Sequence, residues 1–188
     1  MQVMQTAATD SKLIDSEYYC EGYAMKFGRY KLFDDDDGGI YEQFQPNCFD
    51  GCDLSDVIMQ YDHEGRVYAR QSNGTLVLLV DGKGLKIGAD LSKTTASRQM
   101  HEDIDTGLCP KMSFTFMPGK WWYDKETRTI IHEQVKKVYD VSAVSLPANE
   151  GTEIHTRNFC DGVIAKVKQE LLAGEKRKLE LKLKLEGF

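Results

Sequence analysis

Turn signals punctuate the chain at short intervals, and this punctuation constrains its fold more than any other feature. Between Glu17 and Leu146, short segments rich in β-branched and aromatic residues alternate with clusters of Gly, Asn, Asp and Pro. The clearest turn, Asp81-Gly82-Lys83-Gly84, separates the apolar run 76–80 from the run 85–87. Many short strands spaced in this way are typical of antiparallel barrels. The sequence therefore predicts a mainly β domain, a closed or nearly closed antiparallel barrel, over residues 17–160.

The two ends of the chain differ from this pattern. Residues 1–16 are predicted to form a flexible leader, and residues 161–188 a C-terminal helix followed by a charged tail. The helix is expected from Asp161, its cap, to about Ala173, because apolar residues recur there at helical spacing. After Gly174, leucines alternate with charged residues, so periodicity favours a strand while propensity favours a helix. A short internal helix is expected at 96–104.

Composition excludes several classes of protein. The chain has 188 residues, 41% of them hydrophobic, which suits one globular domain. A net charge of -6 argues against nucleic-acid binding, which needs clustered Lys and Arg to neutralise phosphates. No run approaches the roughly 20 apolar residues that cross a bilayer, and the N-terminus lacks the pattern of a signal peptide. We expect neither a nucleic-acid partner nor a membrane.

The cysteines favour a reducing compartment. Five irregularly spaced cysteines do not suit a disulfide framework, so we expect free thiols and a cytoplasmic setting. Cys48 and Cys52 are spaced as metal ligands can be, but no second Cys or His pair completes a zinc site. A metal-binding protein is therefore the weakest functional hypothesis for this chain. Neither a metal nor a cofactor is expected.

Three residues carry side chains suited to acyl transfer. Ser113 lies on the polar face of a strand whose other face carries Met112, Phe114 and Phe116. His63 ends an apolar strand before a turn expected at Glu64-Gly65, where clefts commonly form.

Asp140 is expected in mid-strand, on the same face as Val138. A buried aspartate needs a partner, which either an imidazole or a Lys or Arg side chain would supply. A serine hydroxyl becomes nucleophilic when a base takes its proton and an acid orients that base. His63, Ser113 and Asp140 can fill these roles, although each also has an ordinary structural explanation. No G-x-S-x-G elbow is present.

An ordered set of segments resembles the prohead protease family of HK97-like tailed bacteriophages. The set comprises Glu21-Gly22-Tyr23-Ala24, Tyr61-Asp62-His63-Glu64, Gly74-Thr75-Leu76, Asp81-x-x-Gly84-Leu85, Met112-Ser113-Phe114-Thr115-Phe116 and Asp140-Val141-Ser142-Ala143-Val144-Ser145-Leu146-Pro147-Ala148-Asn149. The resemblance spans residues 21–152, and its last segment is the most specific.

The resemblance implies a serine endopeptidase with Ser113 as nucleophile and His63 as base. Its substrates would be the phage major capsid protein and scaffold, cut inside the assembling prohead in the host cytoplasm, and it would also cleave itself. The family is thought to share its barrel with herpesvirus maturation proteases. Asp140 stands where the family often has Glu, and the herpesvirus enzymes use a second histidine in that role.

Two positions depart from the family pattern, and the first of them, Thr115, leaves an alternative open. Thr115 replaces a common Gly two places after the serine, and Asp62 replaces a common Asn before the histidine. The alternative is a catalytically inactive barrel that acts in capsid assembly or binds scaffold. A homo-oligomer is compatible with either function.

Overall fold

The computed structural model describes residues 12–35 and 37–145, together with residues 169, 172–174, 176 and 177. Most of the predicted leader and C-terminal segment lies outside these residues, so the domain boundaries stay predictions. The described C-terminal residues are helical and exposed. The Asp161 cap and most of the apolar face expected for that helix lie outside the described part of the chain.

Eleven strands, one α-helix and one 3₁₀ turn form the regular structure of residues 12–145. The strands are β1 (Tyr19–Lys26), β2 (Arg29–Asp35), β3 (Gly38–Phe44), β4 (Ile58–Tyr61), β5 (Glu64–Arg70), β6 (Leu76–Val80), β7 (Gly84–Asp90), β8 (Lys111–Pro118), β9 (Trp121–Asp124), β10 (Thr129–His132) and β11 (Val135–Val144). The helix α1 spans Thr95–Asp105, and the 3₁₀ turn spans Gln71–Asn73. The fold is therefore mainly β, as predicted. Among the described residues, no helix is both long and apolar enough to cross a bilayer.

The strands form three sheets, with orders β1-β7-β6, β2-β3-β10-β9 and β5-β4-β11-β8. Most neighbours are antiparallel, but β3 pairs with β10 and β4 pairs with β11 in parallel. Strand β11 lies inside the third sheet, between β4 and β8. It therefore joins the segment that carries His63 to the segment that carries Ser113.

The predicted closed or nearly closed antiparallel barrel is not confirmed. None of the three sheets formed by the described strands closes on itself. The edge strands β1 and β8 lie side by side, with Gly22 facing the Met112 side chain, but they belong to different sheets. The two parallel pairings also depart from the prediction, because periodicity identifies a strand without identifying its partner.

Alternation along β8 places the core and the candidate site on opposite faces of one strand. Phe114 and Phe116 are buried in the main hydrophobic cluster, where they pack with Phe44 of β3. Ser113 and Thr115 are only partly buried. Burying one phenylalanine contributes about 1.5–3 kcal/mol, so the aromatic face fixes which way the two hydroxyls point.

Helix α1 packs beside β5 and begins at a side-chain cap. The Thr94 hydroxyl accepts a hydrogen bond from Ser97 N at 3.0 Å. The Ser97 hydroxyl donates to the Tyr68 carbonyl oxygen at 2.9 Å, which ties the helix to β5. The chain leaves the helix at Gly107, whose φ of 78° lies in the left-handed region that glycine tolerates. The helix expected at 96–104 is therefore present.

Candidate active site

His63 lies in a tight hairpin turn. Strand β4 ends at Tyr61 and β5 begins at Glu64, so the loop consists of Asp62 and His63 alone. Their φ angles are 47° and 61°, the pattern of a type I′ turn. Asp and His are among the non-glycine residues that tolerate this region. The turn expected at Glu64-Gly65 is therefore displaced by two residues, and His63 forms it instead of preceding it.

Four hydrogen bonds hold this turn against β11. His63 N donates to the Ser142 hydroxyl at 3.2 Å, and Asp62 N donates to the Ala143 carbonyl oxygen at 3.0 Å. The Asp62 carboxylate accepts from Ser145 N and from the Ser145 hydroxyl, both at 2.9 Å. The backbone of the histidine is thus fixed to the strand that carries Asp140.

A β-bulge at Tyr139 turns Asp140 toward His63. Across the β8–β11 ladder, Val138 lies opposite Phe116, whereas Asp140 lies opposite Thr115. Directly opposed residues share a face of the sheet, and the neighbours Thr115 and Phe116 point to opposite faces. Val138 therefore points into the core while Asp140 points to the other face, which corrects the expectation that the two share one. Bulges commonly re-aim a side chain in this way.

The partner of Asp140 is the imidazole of His63. Nδ1 of His63 lies 2.6 Å from Oδ1 of Asp140, and the two side chains are only 10% and 8% exposed. A carboxylate oxygen at this distance accepts, so Nδ1 carries a hydrogen and the Nε2 of the neutral ring presents a lone pair. Nε2 is buried and has no hydrogen-bond partner among the described residues. The bond at Nδ1 therefore orients the imidazole, and Nε2 is left without a hydrogen-bond partner among the described residues.

Two hydroxyl groups surround this pair. The Ser142 hydroxyl donates to Asp140 Oδ1 at 2.8 Å, and Thr115 Oγ1 lies 3.1 Å from His63 Nδ1. Burial raises the pKa of Asp140, but the hydrogen bond and charge of His63, with hydrogen bonds from Thr115 and Ser142, outweigh it. The pKa of Asp140 is therefore below its usual value, and the carboxylate is charged at neutral pH.

Sequence reasoning assigned no role to Ser142 or Thr115. A signal for Ser142 was nevertheless present, because it is a small polar residue between Val141 and Ala143 in an apolar strand. Such a residue is buried and needs hydrogen-bond partners of its own.

Ser113 lies on the same face of the sheet as the histidine–aspartate pair. It is directly opposite Ser142 and two residues before Thr115, about 7 Å along β8. It also lines a cavity of about 680 Å³ between β1 and β8, which His63 and Asp140 do not line. Because Nε2 has no partner, no hydrogen bond joins His63 to the Ser113 hydroxyl. The structure thus brings two of the three predicted residues into contact and the third onto the same face.

The thiols beside this cavity are unsuited to nucleophilic attack. Cys20 and Cys109 line it together with Ser113. Burial raises the pKa of Cys20 to about 12. Burial, with the nearby charges of Asp103 and Asp62, also raises the pKa of Cys109. Since the thiolate is the reactive form, the raised pKa values disfavour both thiols as nucleophiles at neutral pH.

The cysteines of the metal hypothesis form no ligand cluster. Cys48 and Cys52 are both free thiols. Within the part of the chain that the structure describes, no group of three or more His, Cys, Asp or Glu side chains could hold a metal ion.

One known family matches most of the chain. The sequence matches the caudovirus prohead serine protease family over residues 5–164, a span that contains His63, Ser113 and Asp140. The chain belongs to this family. No curated protein matches it, and no solved structure does so either. Membership in the prohead serine protease family confirms the resemblance read from the motifs and indicates a serine protease of phage head maturation. The further similarity to herpesvirus proteases is not confirmed.

Proposed function

We propose that this prohead serine protease is an endopeptidase that processes capsid and scaffold proteins of its phage and also cleaves itself. Ser113 is the nucleophile, His63 is the general base, and Asp140 orients the histidine. The observation that carries the proposal is the contact between His63 Nδ1 and Asp140 Oδ1 at 2.6 Å, which leaves Nε2 without a partner. This is the arrangement that a serine nucleophile requires of its base.

The chemistry follows from these positions. Ser113 Oγ forms a bond to the scissile carbonyl carbon while its proton passes to His63 Nε2, and the charge of Asp140 stabilises the imidazolium. Collapse of the tetrahedral intermediate breaks the C–N bond, and Nε2 returns the proton to the departing amine. Water then attacks the acyl-enzyme with Nε2 again as base, which releases the acid product and restores the serine hydroxyl.

The free enzyme is not yet in the reactive geometry. Nε2 and the Ser113 hydroxyl lie on one face of the third sheet without a hydrogen bond between them. Catalytic hydrogen bonds commonly shorten only when substrate binds. A peptide in the cavity beside Ser113 is expected to bring the hydroxyl toward Nε2 and to exclude water.

Other histidines are engaged elsewhere, which supports Asp140 as the third member. His132 Nε2 lies 2.8 Å from Glu42 Oε1 in the second sheet, where the ring stacks on Phe44. His101 Nε2 lies 3.2 Å from the Tyr19 carbonyl oxygen. His132 and His101 thus bind groups in other parts of the fold, whereas Asp140 binds His63 directly. His155 lies outside the described residues.

The proposed setting is the assembling prohead in the cytoplasm of the bacterial host. Family membership supports action on the capsid protein. We further propose that residues 174–188, which are rich in Lys and Glu, associate with scaffold. Deleting them is expected to spare peptide cleavage and to impair capsid processing. Equal loss of both would show instead that these residues belong to the protease fold.

Replacing the nucleophile tests the proposal. Ser113→Ala is expected to lower cleavage of a co-expressed capsid precursor, and of the protein itself, by about 10⁴-fold or more while the protein stays folded. Ser72→Ala, at an exposed serine of the 3₁₀ turn, is the matched control and should cleave normally. Full processing by the Ser113→Ala variant would overturn the assignment.

One observation favours a catalytically inactive assembly protein as the second candidate. His63 Nε2 makes no hydrogen bond to Ser113, and an inactive relative would have no need of one. A fluorophosphonate probe distinguishes the two, because it phosphonylates only an activated serine. Labelling that is lost on heating and in Ser113→Ala supports the protease, whereas absence of labelling in folded wild-type protein supports the second candidate.

A further inference from the structure

A closed ring of hydrogen bonds joins Ser142 to the catalytic pair. The Ser142 hydroxyl accepts from His63 N at 3.2 Å and donates to Asp140 Oδ1 at 2.8 Å. The same Oδ1 accepts from His63 Nδ1 at 2.6 Å. The ring therefore passes through the main chain of His63, the Ser142 hydroxyl, the Asp140 carboxylate and the imidazole, and returns to His63.

The Ser142 hydroxyl is fully committed to this ring. Its side chain is completely buried, so water does not compete for it. A hydroxyl has one hydrogen, which goes to Asp140, and the oxygen accepts the His63 N–H. Both recorded contacts thus go to the two residues proposed as base and acid.

The ring also restricts how the site can move. His63 has a left-handed φ of 61°, which histidine tolerates but which few non-glycine residues adopt. The bond from His63 N to Ser142 holds the backbone, and the bond from Ser142 to Oδ1 holds the carboxylate. Together they hold both ends of the contact between His63 Nδ1 and Asp140 Oδ1, and this contact fixes the orientation of the imidazole.

We propose that Ser142 is a positioning residue, which sets the orientation of His63 and Asp140 without touching substrate. The proposal rests on the proposed function, since it assumes that His63 is the base. In its absence, the His63 N–H loses its recorded partner and Asp140 loses a donor. The imidazole then samples orientations from which Nε2 cannot take the Ser113 proton when a substrate or probe binds.

The rate of labelling by a fluorophosphonate probe measures this role directly. The probe needs no peptide substrate, because Ser113 Oγ attacks phosphorus, fluoride leaves, and the hydroxyl proton goes to His63. Ser142→Ala is expected to label about 10- to 100-fold more slowly than wild type, the range typical of a misaligned catalytic group. The matched control is Ser97→Ala. Ser97 lies in α1, away from the site; it is 1% exposed, and its hydroxyl donates to the Tyr68 carbonyl oxygen of β5.

The pH dependence of labelling separates positioning from stability. Loss of a donor makes the Asp140 carboxylate more basic, so the coupled pair takes up its proton at higher pH. The charged neighbours Asp62 and Glu64 remain in both variants. The acid limb of the profile should therefore move to higher pH in Ser142→Ala and not in Ser97→Ala. The contrary outcome is that Ser142→Ala and Ser97→Ala both lose thermal stability but keep the wild-type labelling rate and pH profile. Ser142 would then be only a structural residue, and the proposal would fail.

A nuclear magnetic resonance measurement keeps this test independent of catalysis. In the Ser113→Ala background, the His63 Nδ1 proton bound to Asp140 should give a downfield resonance. Adding Ser142→Ala should shift that resonance or broaden it by faster exchange with water, whereas adding Ser97→Ala should not. An unchanged resonance overturns the positioning role. Retained proteolysis by Ser113→Ala alone would overturn the proposed function and leave the measured effect of Ser142 on the pair intact.

Discussion

Thr115 lies directly opposite Asp140 across the β8–β11 ladder, and its hydroxyl is 3.1 Å from the ring nitrogen that Asp140 binds. The Thr115 side chain therefore occupies the space into which a longer acid at position 140 would extend. The effect of a longer acid at position 140 on the labelling rate should consequently depend on the size of residue 115.

Asp140→Glu alone is expected to slow fluorophosphonate labelling by about 100-fold, because the added methylene displaces the carboxylate against Thr115. Thr115→Gly alone should lower the rate less and destabilise β8 by up to about 1 kcal/mol. The double variant should recover most of the activity, with a coupling energy of about 0.5–3 kcal/mol in a double-mutant cycle. Thr106→Gly, at the exposed end of α1, serves as the control partner and should combine additively with Asp140→Glu. Additive effects of Thr115→Gly would contradict the size relationship.

Asp140 should also make stability depend on pH at the acid end. Its folded pKa is lowered below the unfolded value of about 3.9, so the stabilisation is complete above that pH and is lost as pH falls through the folded pKa. Asp140→Asn has no such titration. Denaturant unfolding between pH 7 and pH 2 should show the largest difference between the two proteins at neutral pH. The difference should narrow below about pH 4. A constant difference across the range would show that the carboxylate is not held in its charged form.

The Asp62 turn offers a graded test of how His63 is held. Asp62→Asn keeps an acceptor and a residue that tolerates φ of 47°, so it should lose the least stability and activity. Asp62→Gly keeps the turn but loses both bonds from Ser145. Asp62→Ala loses the bonds and also strains the backbone, and should be about 1–2 kcal/mol less stable than Asp62→Gly. Unfolding free energies and labelling rates of the three variants check this order. Equal values for Ala and Gly would show that the turn is not strained.

The strands and the helix of this fold are determined by local sequence, so periodic patterns predict them well. Alternation in β8 places Phe114 inward and Ser113 outward, and the helix expected at 96–104 is present as α1. The pairing of β4 with β11 could not be predicted, because hydrophobic periodicity contains no information about a partner tens of residues away.

The burial of Asp140 and its need for a partner could be predicted from the sequence, but the geometry of its contact with His63 could not. The identity of Asp140 as a buried acid in need of a partner follows from its strand. Its direction depends on one extra residue, Tyr139, and a bulge leaves no mark in a period-two pattern. The turn at His63 was likewise missed, because Glu64-Gly65 is the stronger turn signal by composition.

The parallel pairing of β4 with β11 determines when during synthesis the site can exist. His63 and Asp140 are 77 residues apart, and no hairpin brings them together. A ribosome must deliver almost the whole described domain before the histidine acquires its acid, and slow, non-local strand pairing delays the contact further. A nascent or truncated chain that ends before β11 therefore contains Ser113 and His63 but lacks the carboxylate that His63 binds. The order of the strands along the chain therefore delays assembly of the His63–Asp140 pair until synthesis of the described domain is nearly complete.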